Sequence, residues 1–270
     1  MFYVTNGVGH QYNSLTAEAT RQMAKGLYFQ GSWTWARDRY DLDYNWGFAD
    51  NAFTSENPFD RRREIGPAQE IPKFRFSSNW VYQLPFGRGR QFGFGASRLL
   101  NFAVGGWEVS GVYSRQTGQY LTPLWSGPDP VGITYTSSSP AIVSRRPDIL
   151  SDPNLSGDQR SLSRWFNPSA FAAPRQGQFG TSAKGVILGP GTNVWHMGLA
   201  KQFQFNDKGA RLRWEISAVN VFNHPNWANP GVTVSSASSF GVITALGVNN
   251  ASAGDVNGVR ALRMGLRMAW

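Results

Sequence analysis

Large apolar residues fall at every second position in several segments of the chain. At the C-terminus, Leu262, Met264, Leu266, Met268 and Trp270 alternate with small or basic residues. A period of two is typical of a β-strand with two different faces, whereas a helix repeats every 3.6 residues. The same period occurs in the segments at about 14–23, 27–35, 73–84, 107–116, 195–205 and 211–222. The pattern predicts an all-β, antiparallel chain of about seven strands.

The connections between these segments differ greatly in length. Ala24-Lys25-Gly26 and Asn206-Asp207-Lys208-Gly209 have the composition of tight turns, so they predict two hairpins. The segment from Thr117 to about Asn193 is far longer than the ~12–15 residues beyond which loops become uncommon in compact soluble domains. Short turns that alternate with long loops are typical of outer-membrane β-barrels, with the turns in the periplasm. We therefore expect the last strand to run inward and to end at Trp270 in the periplasmic interface.

The composition of the two faces also separates a membrane barrel from a soluble β-sandwich. The polar positions hold mainly Ser, Thr, Gln, Asn and Arg with Gly and Ala, rather than the Lys and Glu usual on a soluble surface. The apolar positions near strand ends are rich in aromatic residues, namely Trp33, Trp35, Phe74, Trp107, Trp195, Phe203, Phe205 and Trp270. Aromatic residues at both water–lipid boundaries are typical of membrane barrels. The pattern favours a transmembrane barrel, with a soluble all-β core as the alternative.

Composition excludes several other classes of protein. The 270 residues include 26 Lys and Arg against 17 Asp and Glu, a formal net charge of +9, and no Cys. The lack of Cys excludes disulfides and thiolate metal sites, and no apolar run approaches the ~20 residues of a membrane-spanning helix. The first residues lack the basic start and apolar core of a secretory signal. We therefore expect either a cytoplasmic protein or a chain whose beginning is missing.

Few residues are candidates for chemistry. His10, His196 and His224 show no metal-binding spacing. Asp38, Asp41, Asp43 and Asp50 cluster after the second strand, but their spacing is not that of an EF-hand, so a solvated loop is favoured over a calcium site. No nucleophile elbow or carboxylate pair is present. We expect no enzymatic activity and no cofactor.

The basic residues do not form a nucleic-acid module. Arg61-Arg62-Arg63 and the Arg88–Arg90 pair are separated by alternating strands and loops. An arginine run on the outer surface would suit lipopolysaccharide phosphates, and Arg211, Arg213, Arg263 and Arg267 in a lumen would suit the carboxylates of a plug. The glycines between Gly87 and Gly93 do not open a helix after a buried strand, so they predict a periplasmic turn rather than a phosphate loop.

Several short stretches resemble the C-terminal barrel of the Oar-like TonB-dependent receptors of Gram-negative outer membranes. In family order they are Tyr12-Asn13-Ser14-Leu15, Asn57-Pro58-Phe59-Asp60-Arg61, Tyr82-Gln83-Leu84-Pro85-Phe86-Gly87-Arg88-Gly89, Gly106-Trp107-Glu108-Val109-Ser110-Gly111, Trp165-Phe166-Asn167-Pro168-Ser169-Ala170-Phe171 and Val221-Phe222-Asn223-His224-Pro225-Asn226-Trp227. The alternating segment that ends at Trp270 is also similar to the terminal signal that the barrel assembly machinery recognises. Each stretch is weak alone, but the ordered set spans nearly the whole chain.

The resemblance implies the position of the chain in a larger protein. Family members carry a signal peptide, a carboxypeptidase-regulatory-like domain, a plug with a segment for TonB, and a barrel of about 22 strands. Since about seven strands are present, residues 1–270 are expected to be the C-terminal part of such a barrel, without plug or N-terminal domain. This incomplete barrel with long extracellular loops would be a truncated gene product or a fragment.

The resemblance also implies a function and partners. The full-length protein would bind and import an unidentified substrate across the outer membrane, with partners in lipid, lipopolysaccharide, the barrel assembly machinery and, through the missing part, the TonB complex, but no nucleic acid. Leu262, Met264, Leu266, Met268 and Trp270 would face lipid and guide assembly. Tyr44, Trp46 and Phe48 would contact ligand in a loop. The alternatives are an adhesin-like surface β protein without transport and a soluble basic β-domain.

Overall fold

Seven long strands form one antiparallel sheet in the computed structural model, which describes residues 9–40, 56–57, 60–93, 95, 97–132, 145–205, 210–247 and 259–270. The strands are β1 (His10–Ala24), β2 (Leu27–Tyr40), β3 (Phe74–Gln83), β4 (Trp107–Gln116), β5 (Thr192–Gln204), β6 (Arg211–Val219) and β7 (Ala261–Ala269). Each strand pairs with the next in the chain, so β1 and β7 run in the same direction. Within the described residues the sheet is not closed, and β1 and β7 are its edges. The predicted all-β, antiparallel fold with about seven strands is confirmed.

Among the described residues, the connections contain short elements only. The α-helix α1 spans Arg98–Val104, and the 3-10 helices span Arg61–Glu64, Gly157–Gln159 and Pro168–Ala170. Two-residue strands pair Tyr120–Leu121 with Ile187–Leu188 and Asp148–Ile149 with Phe171–Ala172, while Gly66–Pro67 pairs with the end of β2. Among the described residues, no helix has the length and apolar character required to cross a membrane.

The register brings the apolar residues of neighbouring strands onto one face of the sheet. Trp214 of β6 pairs with Leu266 of β7, and Leu212 pairs with Met268. A slip of one residue would move every apolar side chain to the opposite face, so this pairing is strongly specified by the sequence. We call this side the apolar face and the other the polar face.

The connections differ at the two ends of the strands. At one end, the turn at Lys25 and Gly26 joins β1 to β2 with both residues at positive φ, 52° and 81°. Gly106, with φ +73°, enters β4 at the same end, where a Cβ would lie 2.4 Å from the carbonyl oxygen of Gln202. The connections at the opposite end are longer. We call the two ends the short-turn end and the long-loop end; their alternation agrees with the sequence prediction.

The buried hydrophobic core lies in the long loops rather than against the sheet. Its buried members are Leu121, Phe166, Ala170, Phe171, Ile187 and Phe240, with Trp165, Val232 and Val234 packed around them. The residues come from two separate connections, and the phenylalanine rings meet edge to face at centroid distances of 5.0–6.1 Å. Such aromatic pairs add stability beyond the burial of their area. We call residues 56–57, 60–73, 117–132, 145–191 and 220–247 the long-loop module.

Candidate functional site

Aromatic side chains form a band across the apolar face near the long-loop end. The ring pairs, with centroid distances, are Trp33 with Phe74 at 6.0 Å, Phe76 with Tyr113 at 5.7 Å, Tyr113 with Trp195 at 4.0 Å and Trp195 with Phe222 at 5.9 Å. The Tyr113 and Trp195 rings are stacked, whereas the Trp195 and Phe222 rings meet edge to face. The band therefore extends from β2 to the residues that follow β6.

A second aromatic band lies on the same face at the short-turn end. Trp107 meets Trp214 edge to face at 6.4 Å, and Phe102 of α1 packs on Phe203 at 4.9 Å. Along β4, Trp107 and Tyr113 belong to different bands and are about 20 Å apart at ~3.3 Å per residue. The apolar belt of an outer-membrane barrel is about 25 Å tall between its aromatic girdles. Because the strands of such barrels are tilted by about 35–45°, this distance spans less than the full belt, and the two bands share the arrangement of interfacial girdles at opposite strand ends rather than their full separation.

Lys201 is a charged residue on the apolar face. It pairs with Trp107 on one side and Trp214 on the other, and its side chain is buried. Its ammonium group donates to the carbonyl oxygens of Ala103, at 2.9 Å, and Gly105, at the C-terminal end of α1. The carbonyl groups at a helix C-terminus stabilise a cation. In the sequence, only the presence of a lysine where the alternation predicts an apolar residue indicates this interaction.

The polar face carries charged and hydrogen-bonding side chains. Arg213 of β6 donates to Glu108 of β4, across the intervening β5, at 2.8 Å and to Glu215 of its own strand at 3.2 Å. Arg263 and Arg267 of β7 lie on the same face, opposite Ser217 and Arg213. Hydroxyl pairs such as Ser32 with Ser77, at 2.9 Å, continue the polar surface toward β1. The face is suited to a water-filled interior.

A buried charge network holds the long-loop module together. The Arg146 guanidinium donates to Glu56 Oε2 from Nε at 3.0 Å and from Nη2 at 2.9 Å, and to Glu64 Oε1 at 3.2 Å. Arg146 also donates from Nη1 to the Arg63 carbonyl oxygen at 2.8 Å. Arg146 and Glu56 are only 1% and 2% exposed. Because both charges are desolvated, each requires the other for the module to remain folded.

The arginine run was predicted to suit surface phosphates, but Arg63 has a different role. Its side chain is half-buried, donates to Glu56 at 3.2 Å and lies 5.7 Å from the centroid of the Phe179 ring. Arg63 therefore contributes to the interior of the long-loop module.

The histidines and Asp38 have structural partners. His10 Nε2 lies 2.6 Å from Asp38 Oδ1 across the β1–β2 pair, and His196 Nδ1 accepts from the Asn220 amide at 3.2 Å. The part of the chain that the structure describes contains no cluster of three or more His, Asp or Glu residues able to hold a metal ion. The other acidic residues of the predicted cluster, Asp41, Asp43 and Asp50, lie outside the described residues.

Two ionisable groups of the long-loop module have shifted pKa values. Burial raises the pKa of the Tyr120 phenol. A hydrogen bond from the Ser156 hydroxyl, supported by the backbone amide of Asp158, lowers the pKa of the Asp158 carboxyl.

Comparison with known protein families identifies the class of protein to which this sheet belongs. A family model of the outer membrane beta barrel domain matches residues 1–263. The chain belongs to this family. It is therefore an outer-membrane protein of Gram-negative type, and its strands are those of a membrane β-barrel. No curated protein and no solved structure matches it.

Membership of the barrel family indicates which end of the strands faces the periplasm and which faces outside the cell. In outer-membrane barrels the short turns face the periplasm and the long loops face outside. The long-loop module is then extracellular, and the two aromatic bands lie at the two interfaces. The turn predicted between Gly87 and Gly93 has positive φ at Gly87, Gly89 and Gly93, and lies at the periplasmic end.

The predicted lipid-facing row of the barrel occupies the edge strand β7. Leu262, Met264, Leu266 and Met268 are 60–70% exposed, and Trp270 follows at 92%. No described helix or second sheet covers this row. Its contact with lipid and its role in assembly stay predictions. The predicted ligand contacts Tyr44, Trp46 and Phe48 lie outside the described residues.

Proposed function

We propose that this outer-membrane chain is the C-terminal part of a TonB-dependent receptor barrel, and that the whole protein captures a substrate outside the cell and imports it. The observation that carries the proposal is the extracellular module. It has its own core and buried charge network, and so presents a defined surface above the barrel wall. A barrel that served only as an anchor would not require this ordered structure on its long loops.

Hydrogen bonds attach the module to the ends of the strands. Asn193 at the start of β5 donates its amide to Asn226 Oδ1 at 2.7 Å, and Val221 donates to the Trp195 carbonyl oxygen at 2.9 Å. The Phe74 amide donates to Thr117 Oγ1 at 3.1 Å. Because these bonds involve two strands, β3 and β5, a change in the module on ligand binding would reach the barrel wall directly.

The positive charge of the polar face supports the presence of a plug domain. Among the described residues, Arg211, Arg263 and Arg267 have no carboxylate partner, so this part of the wall has an excess of positive charge. Carboxylates of a plug domain, or of an anionic substrate in transit, would pair with these arginines. The mechanism has no bond-breaking step: ligand is bound outside, and energy delivered through TonB rearranges the plug.

The test compares three strains that differ in one gene each. The parent strain, a deletion of the full-length receptor gene and a deletion of tonB are grown on a mixture of peptides and oligosaccharides, and depletion of each compound is followed by mass spectrometry. We expect at least one compound to be depleted by the parent only. Loss of cell attachment in the receptor deletion, with depletion unchanged and tonB irrelevant, would instead support the adhesin alternative.

A second comparison links uptake to the module. The substitution Phe166→Ala removes the most central ring of the module core, whereas Leu162→Ala removes an exposed side chain from the same segment. We expect uptake to fall with the first and to be retained with the second at equal surface expression. Equal uptake by both variants would show that the module does not contribute to ligand capture.

A further inference from the structure

An open cleft of about 600 Å³ lies at the extracellular end of the apolar face. We call it the outer-rim cleft, and its defining residues are Trp33, Phe74, Phe76, Arg115, Arg160 and Asn193. The aromatic residues belong to the extracellular band, and Arg160 belongs to the module above them. The register places Phe76, Arg115 and Asn193 in one row across β3, β4 and β5. The part of the cleft that these residues form is thus on the outside of the barrel, at the bilayer boundary.

The outer-rim cleft is positively charged. Arg115, Arg160 and His224 contribute to its lining, with Arg75 at its margin on the polar face, and none of its lining residues is Asp or Glu. Within the described residues, none of the three arginines forms an ion pair with a carboxylate. Arg160 is positioned by a bond from Nε to the Leu155 carbonyl oxygen at 2.8 Å and by its place over the Trp165 ring, 5.1 Å away. The cleft therefore favours an anion.

The polar and apolar parts of the outer-rim cleft are segregated. Trp33 and Phe74 are each 37% exposed although their rings stack on one another. Asn193 contributes a buried side-chain oxygen that has no hydrogen-bond partner among the described residues, while its backbone amide already donates to Asn226. A buried, unpaired oxygen of this kind requires a donor. A ligand that fits has an anionic group, a hydroxyl or amide donor, and an apolar part that continues into the bilayer.

We propose that the outer-rim cleft binds the phosphorylated glycolipid of the outer leaflet, with a glucosamine phosphate against Arg115 and Arg160 and an acyl chain on Trp33 and Phe74. Guanidinium groups bind phosphate bidentately, and aromatic residues pack favourably at the headgroup level. The inference requires the outer-membrane location of the chain but not transport. Binding would fix the extracellular module against the membrane surface.

The experiment measures lipid binding to the full chain extracted from outer membranes in mild detergent. Native mass spectrometry compares four probes: bisphosphorylated lipid A, enzymatically dephosphorylated lipid A, phosphatidylglycerol and inorganic phosphate. We expect only bisphosphorylated lipid A to be retained. Equal retention of phosphatidylglycerol would reject a glycolipid site, retention of the dephosphorylated form would reject the phosphate contact, and saturation by inorganic phosphate alone would reject a lipid ligand.

Variants then assign the binding to the cleft. The double substitution R115Q/R160Q should weaken lipid A binding by about tenfold or more, because each charge-assisted hydrogen bond contributes substantially. R115K/R160K retains the charge and should lose less. R88Q/R90Q changes arginines at the periplasmic end and is the matched control. Retained heat-modifiable migration on gels shows that each variant is folded, and equal binding by R115Q/R160Q and R88Q/R90Q would overturn the proposal.

Discussion

The substitution Arg146→Met tests whether the buried charge network holds the extracellular module together. Methionine fills much of the volume of the arginine stem but leaves Glu56 without its two guanidinium bonds, at 2.9 and 3.0 Å, and Glu64 without its bond at 3.2 Å. Removing one member of a buried pair costs about 3–5 kcal/mol, because a desolvated charge loses its partner; Glu56 keeps only the bond from the half-buried Arg63, at 3.2 Å. We therefore expect the module to open far more often while the strands stay in the membrane.

Proteolysis of intact cells measures this opening. When opening and closing are fast, the cleavage rate follows the population of the open form, so 3–5 kcal/mol corresponds to an increase of about 150- to 5,000-fold. The control is Arg175→Met, since Arg175 is largely exposed and its contact with Asp148 is long, at 3.8 Å. An exposed pair contributes ~0–1 kcal/mol.

A double-mutant cycle separates the charge effect from lost packing. Arg146→Met combined with Glu56→Gln removes most of the uncompensated charge, so its cost should be well below the sum of the two single costs. If Arg146→Met is cleaved at the rate of the Arg175→Met control, or if the cycle is additive, the network does not stabilise the module and the reasoning fails.

Three further outcomes follow from the fold. Leu266→Arg should destabilise the membrane-inserted chain by about 2–4 kcal/mol. Ser217→Glu should cost little, because it places a charge on the polar face opposite Arg263. Denaturant titration in lipid vesicles compares them, and similar costs would contradict the assignment of faces. Phe166→Ala should destabilise the module by about 3–5 kcal/mol, seen as loss of hydrogen-exchange protection, and unchanged protection would contradict the described core. Burial raises the pKa of the Tyr120 phenol, so the contribution of this phenol to stability is complete below the ordinary tyrosine pKa and is lost as pH rises through the higher folded-state pKa. Ultraviolet titration of the chain and of Tyr120→Phe measures the pKa, and titration of Tyr120 at the ordinary tyrosine pKa would refute the prediction.

The membrane part of the fold was predictable from the sequence because a bilayer imposes a strict alternation on each strand. The period of two located all seven long strands, and the turn at Lys25 and Gly26 was predicted from composition. The strand limits were less accurate: β1 begins at His10 rather than near Ser14, and β2 continues to residue 40. These extensions lie at the long-loop end, where the strand no longer faces hydrocarbon on one side and the alternation ends.

The extracellular module was not predictable in the same way. Its core joins Leu121, Phe166, Phe171 and Ile187 of one long connection to Phe240 of another, and none of these residues lies in a periodic run. The resemblance drew attention to the stretch from Trp165 to Phe171 but gave no partner for it. The charge network likewise pairs Glu56 with Arg146, 90 positions away, and only the folded arrangement brings the two together.

The direction of the two edge strands limits how this sheet can close into a barrel. Since β1 and β7 point the same way, joining them to each other, or to the edges of further copies of the sheet, would create a parallel seam. A closed barrel in which every strand is antiparallel to both of its neighbours has an even number of strands. In any such barrel the gap between β7 and β1 must therefore be filled by an odd number of additional strands, and the first and last of these must both run outward from the periplasm.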